Sequence, residues 1–482
     1  MARASPRISP TLWVTFQTIF EQGFWALLFA VQAPLLGPRP FGLVSLAMVV
    51  IGFCEFVFFT VAAEALISLI EVEELHFATM LTVSVAATLA AGGLIFAGAG
   101  LADRLFHEPQ LAEVLRWLSP LPLLSAVGSV PTAVTKRNLQ FQPLAVRSIL
   151  SLFAGGLDGL VLAVAGAGVW ALVWQALVHR AVAAIWLWIG VPVRFRLGFS
   201  RAHFVDLRRF AAKLVLSRVM NWASGQVPRF ILGFYLGATD LGIYGLAGRL
   251  NGSLVQLALE PKTTVARVYL RRYMDGREGL DEAVRQLFLQ TSIFCFPLFA
   301  GAAACTPVLF HAWLGPQWAG GVRVAQFMLL MGFPMLTFHC ATSVLLALNQ
   351  QATEALISVV QTVTSILLVL AVAPFGLTIA AAAIALRQLF LLPLPLLLIR
   401  RRCDIPIRAM VAPQLPALLA AAASAAAVWM LAPELERLFG SLKALPLLVA
   451  LGMAVYLPLI ALLAPGFVGA IMRRVAGRLR RG

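Results

Sequence analysis

The apolar stretch from 207 to 235 carries two arginines, Arg218 and Arg229. A charge at the middle of a membrane-spanning helix costs about 2.5–3.5 kcal/mol on insertion scales, so each must face protein or water. Eleven helical steps separate the two, which brings them to within about 20° of one face and sets them about 16 Å apart along the axis. Trp222 falls in the same stripe, and Asn221 flanks it. Guanidinium forks pair with phosphate oxygens and an indole offers its face to a ring, so the stripe has the chemistry of a site for an anionic group with a flat or ring-shaped neighbour. A plainer reading stands beside it: Arg218 lies close enough to a helix end to snorkel, and Pro228 can kink the helix and spoil the alignment. The next stretch, 241 to 266, brings Arg249, Ser253, Gln256 and Glu260 within about 40° of one another, with Arg249 and Glu260 about 16 Å apart by rise. That spacing predicts a continuous polar wall rather than a closed ion pair.

Acidic groups complete the candidate set. Gln17, Glu21 and Gln32 share one side of the first apolar stretch, where Glu21 can answer the basic stripe, either as a pair broken and remade in a conformational cycle or as structural glue. Glu55 and Glu64 are nine steps apart, hence on opposite faces of a straight helix. Glu64 lies near a solvated end, which leaves Glu55, with Asp158 and Glu260, as candidate ion-coupling carboxylates. Arg387 with Gln388, and Arg323, are further polar groups inside apolar stretches.

The elements that position these residues follow from composition. Of 482 residues, 61% are hydrophobic and 12% charged, where an ordinary soluble domain has about a quarter charged. Runs of about twenty apolar residues follow one another, each long enough to cross a hydrocarbon core of about 30 Å. Backbone groups in lipid must pair internally, and the alternating segments of a transmembrane barrel are missing, so the runs are helices. We place fourteen spans at 11–35, 41–66, 77–101, 111–131, 146–167, 169–193, 207–235, 241–266, 285–307, 322–346, 352–373, 377–399, 411–432 and 444–465. The basic N-terminus resembles a secretory signal, but its apolar run contains Glu21 and Gln22 and outlasts an ordinary signal core, which predicts an uncleaved first helix.

Arginine and lysine in the connecting segments divide twenty-five to four, with Arg39, Arg104, Arg437 and Lys443 alone on the sparse side. This bias places both termini in the cytoplasm. The net charge of +16 then lies where anionic lipid headgroups gather, at about 1 kcal/mol per basic residue, and calls for no nucleic acid. Cys54, Cys295, Cys305, Cys340 and Cys403 stand singly in apolar surroundings, as small fillers do. Dispersed histidines predict no metal site, and no cofactor motif is present.

The chain also repeats itself. LLGPRPFGLVSLA (35–47) recurs as YLGATDLGIYGLA (235–247), and VLAVAGAG (161–168) as VLAVAPFG (369–376). Spans 1–6 thus correspond to spans 7–12. Six crossings return the chain to its starting side, so the two units point the same way, related by an axis along the membrane normal. The expected organisation is a six-helix lobe at 1–193, an interfacial amphipathic linker at 194–206, a second six-helix lobe at 207–400, and two extra spans with a basic tail at 401–482. In Glu21 and Asn221 the repeat puts an acid of one lobe at the position of an amide in the other. Gly37 and Gly42 are read as bracketing a five-residue turn. The fold class is all-α integral membrane.

LLGPRPFG, LGATDLGIYGLAGRL and PTAVTKRNLQFQPLA (131–145) resemble the polysaccharide transporter family, the Wzx-like oligosaccharide flippases within the multidrug, oligosaccharidyl-lipid and polysaccharide (MOP) exporters. The resemblance runs from about residue 10 to 400. It implies a MATE-like two-lobed bundle in the bacterial inner membrane, turning an undecaprenyl-pyrophosphate-linked saccharide outward by alternating access for exopolysaccharide or lipopolysaccharide assembly. Polysaccharide polymerase and glycosyltransferases are the implied partners. Family members often carry an acid where Pro228 stands and an arginine where Phe234 stands, so those roles must fall elsewhere here. Spans 13 and 14 either form a groove for the polyprenyl tail or enlarge the lipid-facing perimeter. A cation-coupled drug exporter of the same fold would want an acid-rich cavity, against Arg218, Arg229 and Arg249. A membrane polymerase or ligase would want a long outward loop, and an ATP-driven pump a phosphate-binding loop; the sequence has neither, so an enzyme is not expected.

Overall fold

In the computed structural model, residues 10–55, 66, 73–138, 140–190, 198–258, 270 and 279–465 are described. Among them every element is helical, and thirteen helices or helical segments are long and apolar enough to cross a membrane. One candidate, Gly225–Gln256, contains a break at Gly237 and overlaps parts of two of the fourteen spans read from the sequence, 207–235 and 241–266. Contacts divide the chain into two compact units, 1–242 and 243–482.

The first unit holds α1 (Pro10–Leu36), α2 (Pro38–Glu55), α3 (Glu74–Phe106), α4 (Leu111–Leu118), α5 (Leu121–Arg137), α6 (Phe141–Val164), α7 (Val169–Gly190) and most of α8 (Arg201–Ala258). The turn between α1 and α2 is tighter than the five residues expected. Gly37 alone separates them, at φ 72°, and its N–H closes on the carbonyl of Ala33 at 3.1 Å. Pro38 can follow at once because the first residue of a helix needs no N–H partner and proline's φ already suits it. Gly42 therefore lies inside α2 rather than in the turn, and it serves packing: a β-carbon there would overlap the carbonyl of Ala238, just past the Gly237 break. Gly242 stands in the same way against the carbonyl of Pro38.

Several polar side chains in this unit are paired with one another, as lipid favours. Gln32 and Gln175, both buried, join α1 to α7 through Nε2–H···Oε1 at 2.7 Å. At the N-terminal end of α2, the Arg39–Glu108 ion pair spans 3.0 Å, and the other oxygen of Glu108 accepts the backbone N–H of Ala238 at 3.0 Å. The helix expected from 207 already begins at Arg201, so part of the linker is the head of α8 and runs straight into it, passing Pro228 with helical φ and ψ.

The second unit is built around α9 (Leu280–Leu309), followed by α10 (Gly321–Leu330), α11 (Gly332–Ala347), α12 (Gln351–Val372), α13 (Leu377–Leu391), α14 (Pro393–Cys403), the short α15 (Ile407–Val411), α16 (Leu415–Phe439) and α17 (Ser441–Leu463). Its core gathers Phe288, Phe296 and Phe299 of α9 with Ala417, Ala420 and Ala421 of α16. The alanine run of span 13 thus lets α16 approach α9 closely. Tyr456 of α17 adds a hydrogen bond to the carbonyl of Ile293 at 2.7 Å. The two C-terminal spans are integral to this unit's core. All five cysteines are free, and four are buried.

Candidate functional site

The first unit encloses a cavity of about 450 Å³, within the range of small-molecule sites. Five helices and Trp222 of α8 build its wall. On α1, Glu21 and Trp25 share a face at i, i+4; on α6, Arg147, Ser148 and Ser151 fall within one turn and a little more; on α7, His179, Arg180, Ala183 and Leu187 recur at helical spacing. Gly52 and Glu55 enter from α2, and Ser125 and Gly128 from α5. Small residues on α2, α5 and α7 leave the volume that the charged side chains occupy.

Two carboxylates and two guanidiniums face this space in unequal states. Glu55 is engaged twice by Arg180: Nε–H to Oε1 and Nη2–H to Oε2, each at 3.1 Å. The hydroxyl of Ser125 donates to the same Oε1. Glu55 is shielded, at 14% exposure, whereas Arg180 remains 44% exposed. Glu21 accepts the Nε2–H of Gln17 at 2.8 Å, and that amide also donates to Ser148 Oγ at 2.9 Å. Arg147 differs. Among the described residues it has no carboxylate in ion-pair contact, and its donation to Thr132 Oγ1 is long, at 3.4 Å. The imidazole of His179 stands edge-on to Trp25, centroids 6.0 Å apart, and its buried Nδ1 has no hydrogen-bond partner. Trp222 packs on Phe53 with centroids 5.1 Å apart.

A guanidinium shielded from water without an ion-pair contact is costly unless an anion or water answers it, and Glu21 lines the same cavity without such a contact to Arg147 among the described residues. Arg147 thus supplies an open anion-binding position, and Arg180 a second that is occupied by an internal carboxylate. Trp25 and Trp222 add flat apolar faces with N–H edges, which suit sugar rings.

Of the residues singled out from sequence, Glu21, Glu55 and Trp222 meet at this cavity. Arg229 is exposed on α8, and Asp158 sits on α6 beyond the cavity with Oδ2 buried and unpaired. Arg249 and Gln256 are exposed residues of the second unit. The side chains of Arg218 and Asn221, and all of Glu260, lie outside the described residues. Arg147, His179 and Arg180 were not among the candidates. The span read from the sequence at 146–167 leaves Arg147 at its head, but α6 begins at Phe141 and carries it well inside. Arg180 lies at the middle of the span 169–193, where the same mid-helix rule that flags Arg218 applies to it.

Comparison with known proteins gives the same outline. The model of a family described as polysaccharide biosynthesis protein matches residues 31–323. The succinoglycan biosynthesis transport protein ExoT of Rhizobium meliloti (strain 1021) is 27% identical over 311 residues, 64% of this chain and 63% of ExoT's own length. The lipopolysaccharide biosynthesis protein WzxC of Escherichia coli (strain K12) is 23% identical over 340 residues, 69% of this chain and 68% of WzxC. Among solved structures, the lipid II flippase MurJ in an inward closed conformation superposes with a TM-score of 0.73 at 14% identity, covering 95% of this chain and 100% of that one. An inward-facing multidrug resistance MATE transporter of the MOP superfamily gives 0.54 at 15% identity, over 84% and 99%. The fold is that of the MurJ and MATE transporters.

Proposed function

Since the chain belongs to the polysaccharide biosynthesis protein family, we propose that it is a transporter that flips a lipid-linked saccharide, its headgroup joined to the lipid by pyrophosphate, across the bacterial inner membrane by alternating access. The saccharide feeds exopolysaccharide or lipopolysaccharide assembly, with glycosyltransferases upstream and a polymerase downstream. Both termini are cytoplasmic, in keeping with the charge bias of the connecting segments. The observation that carries this reading is Arg147: a guanidinium inside the membrane-embedded cavity with no carboxylate in contact among the described residues.

In this reading the cargo's phosphate takes the open fork of Arg147 and then competes with Glu55 for Arg180. Glu55 is an internal stand-in for the phosphate: a planar two-oxygen acceptor already seated on the guanidinium. Displaced from Arg180 and held by Ser125, Glu55 is a candidate ion-coupling carboxylate that would tie loading to ion movement; Asp158 and Glu260 are the other carboxylates available for coupling. The sugar rests against Trp222 and Trp25. Arg218, Asn221, Arg229, Arg249 and Gln256 are further candidates for substrate binding, by their types and spacing in the sequence.

The test is genetic and direct. A deletion strain should accumulate lipid-linked saccharide on the cytoplasmic leaflet, wild-type protein should clear it, and Arg147→Gln should not. A deletion strain with normal surface polysaccharide and altered drug export would overturn the proposal in favour of a drug exporter.

A further inference from the structure

The repeat carries a consequence for the second unit, independent of what cargo the first one binds. VLAVAGAG and VLAVAPFG set residues 161–168 over 369–376. The structure keeps that equivalence: Gly168 between α6 and α7 and Gly376 between α12 and α13 both take positive φ, 60° and 101°. Carried along α7 and α13, the same offset places Arg387 over His179 and Gln388 over Arg180. Each unit therefore presents a guanidinium within one residue of the same level of the corresponding helix.

The surroundings differ. Arg387 donates Nη1–H to the backbone carbonyl of Gln361 on α12 at 2.6 Å, while its Nε–H is buried without an acceptor. Gln388, 3% exposed, accepts from Gln361 Nε2 at 3.1 Å, and its own Nε2 is likewise buried without an acceptor. Among the described residues no carboxylate is in ion-pair contact with Arg387, in contrast with Arg180 and its Glu55. A positive charge and unsatisfied N–H groups gathered around one glutamine ask for an acceptor-rich, negatively charged ligand.

We propose that Arg387, Gln388 and Gln361 form a second anion site, in the second unit, for an oxyanion of the phosphate class. The planar fork and the amide N–H groups match tetrahedral oxygens and offer nothing to a cation. The oxyanion is supplied by a pyrophosphate headgroup, a lipid phosphodiester or free phosphate, which share this chemistry.

Isothermal titration of the purified full-length protein with inorganic pyrophosphate tests it. Delipidated wild type should bind at two sites per chain; Arg387→Gln should retain one, and Arg147→Gln the other. Because removal of a buried arginine can disturb folding, Arg387→Lys, which keeps the charge and loses the fork, should hold its thermal midpoint and weaken the second site about tenfold. Wild-type crystals soaked in tungstate should show the heavy oxyanion against Arg387 and Gln388. Repeating the titration in phosphatidylglycerol and phosphatidylcholine nanodiscs identifies the source: both lipids carry a phosphodiester, so loss of the second site in either assigns it to lipid phosphate, and its persistence in both assigns it to a soluble or pyrophosphate headgroup. A single wild-type site untouched by Arg387→Gln and Arg387→Lys, or tungstate absent from Arg387, overturns the inference while leaving the Arg147 site standing.

Discussion

Gly42 of α2 packs directly on the backbone carbonyl of Ala238, and the relation has a mate two hundred positions on, where Gly242 packs on the carbonyl of Pro38. The recurrence of one turn in the sequence thus has a physical cause. The two copies lie against each other, each supplying the missing side chain that the other's backbone requires.

Alanine at either position should be destabilising for that reason. Gly42→Ala or Gly242→Ala forces a methyl into a backbone oxygen, and overpacking of this kind costs about 1–3 kcal/mol. The double substitution should cost less than the sum, since once the helices have moved apart for one methyl the second finds room. Gly93→Ala, whose β-carbon would meet nothing within 4 Å, should leave stability unchanged or raise it by about 0.5–1 kcal/mol. Thermal midpoints of the purified variants decide it; equal behaviour of Gly42→Ala and Gly93→Ala would deny the close approach.

Glu108 should matter more than the arginine it pairs with. It is 12% exposed and holds the N–H of Ala238, the first helical N–H after the break at Gly237, in addition to Arg39, which is 51% exposed. A carboxylate on a free N-terminal N–H is a helix cap, and its loss costs about 0.5–2 kcal/mol. An ion pair as exposed as that of Arg39 contributes about 0–1 kcal/mol. Glu108→Ala should therefore lower the thermal midpoint further than Arg39→Ala, and the reverse order would show that the ion pair, not the cap, holds the turn.

How much of this was legible beforehand can be judged residue by residue. The helical class and the repeat were written in composition and in matching segments, because lipid leaves a chain few options. Glu21, Glu55 and Trp222 were found because a polar residue in an apolar run is conspicuous. Arg147 escaped because span boundaries from hydropathy err by a few residues, and five residues turned a cavity wall into a loop. The pairing of Arg180 with Glu55 joins residues 125 apart, and no periodicity within one helix reports a partner on another. The packing of α16 and α17 onto α9 was hidden for a similar reason: alanine-rich faces permit close approach without specifying to what.

Glu55→Gln should tighten anion binding and slow transport. The amide keeps the shape and the bond from Ser125 but loses the charge that competes for Arg180. If the carboxylate holds back about 1.4 kcal/mol of affinity, the variant binds inorganic pyrophosphate about tenfold more tightly. Cargo that is not displaced then leaves slowly, so surface polysaccharide falls while affinity rises. A variant that binds pyrophosphate more weakly than wild type would mean that Glu55 orients Arg180 for the ligand instead of competing with it.

The two cavity arginines should respond to methionine with opposite signs of stability. Arg147 has no carboxylate in ion-pair contact among the described residues, although Glu21 lines the same cavity, so Arg147→Met removes a shielded charge that no contact pair offsets and should raise the thermal midpoint of the empty protein, by an amount equivalent to up to about 1 kcal/mol. Arg180→Met strands Glu55, 14% exposed, with Ser125 as its remaining donor among the described residues. Breaking a fully buried pair costs about 3–5 kcal/mol, but the 44% exposure of Arg180 means solvent already screens much of it, and a loss of about 1–2 kcal/mol is expected. Pyrophosphate should stabilise wild type and lift its midpoint with concentration, as any ligand of the folded state does. In Arg147→Met that lift should disappear although the empty protein melts later. A methionine variant at 147 that melts earlier than wild type and still responds to pyrophosphate would show that Arg147 is structural glue, and the anion would have to be sought elsewhere on the cavity wall.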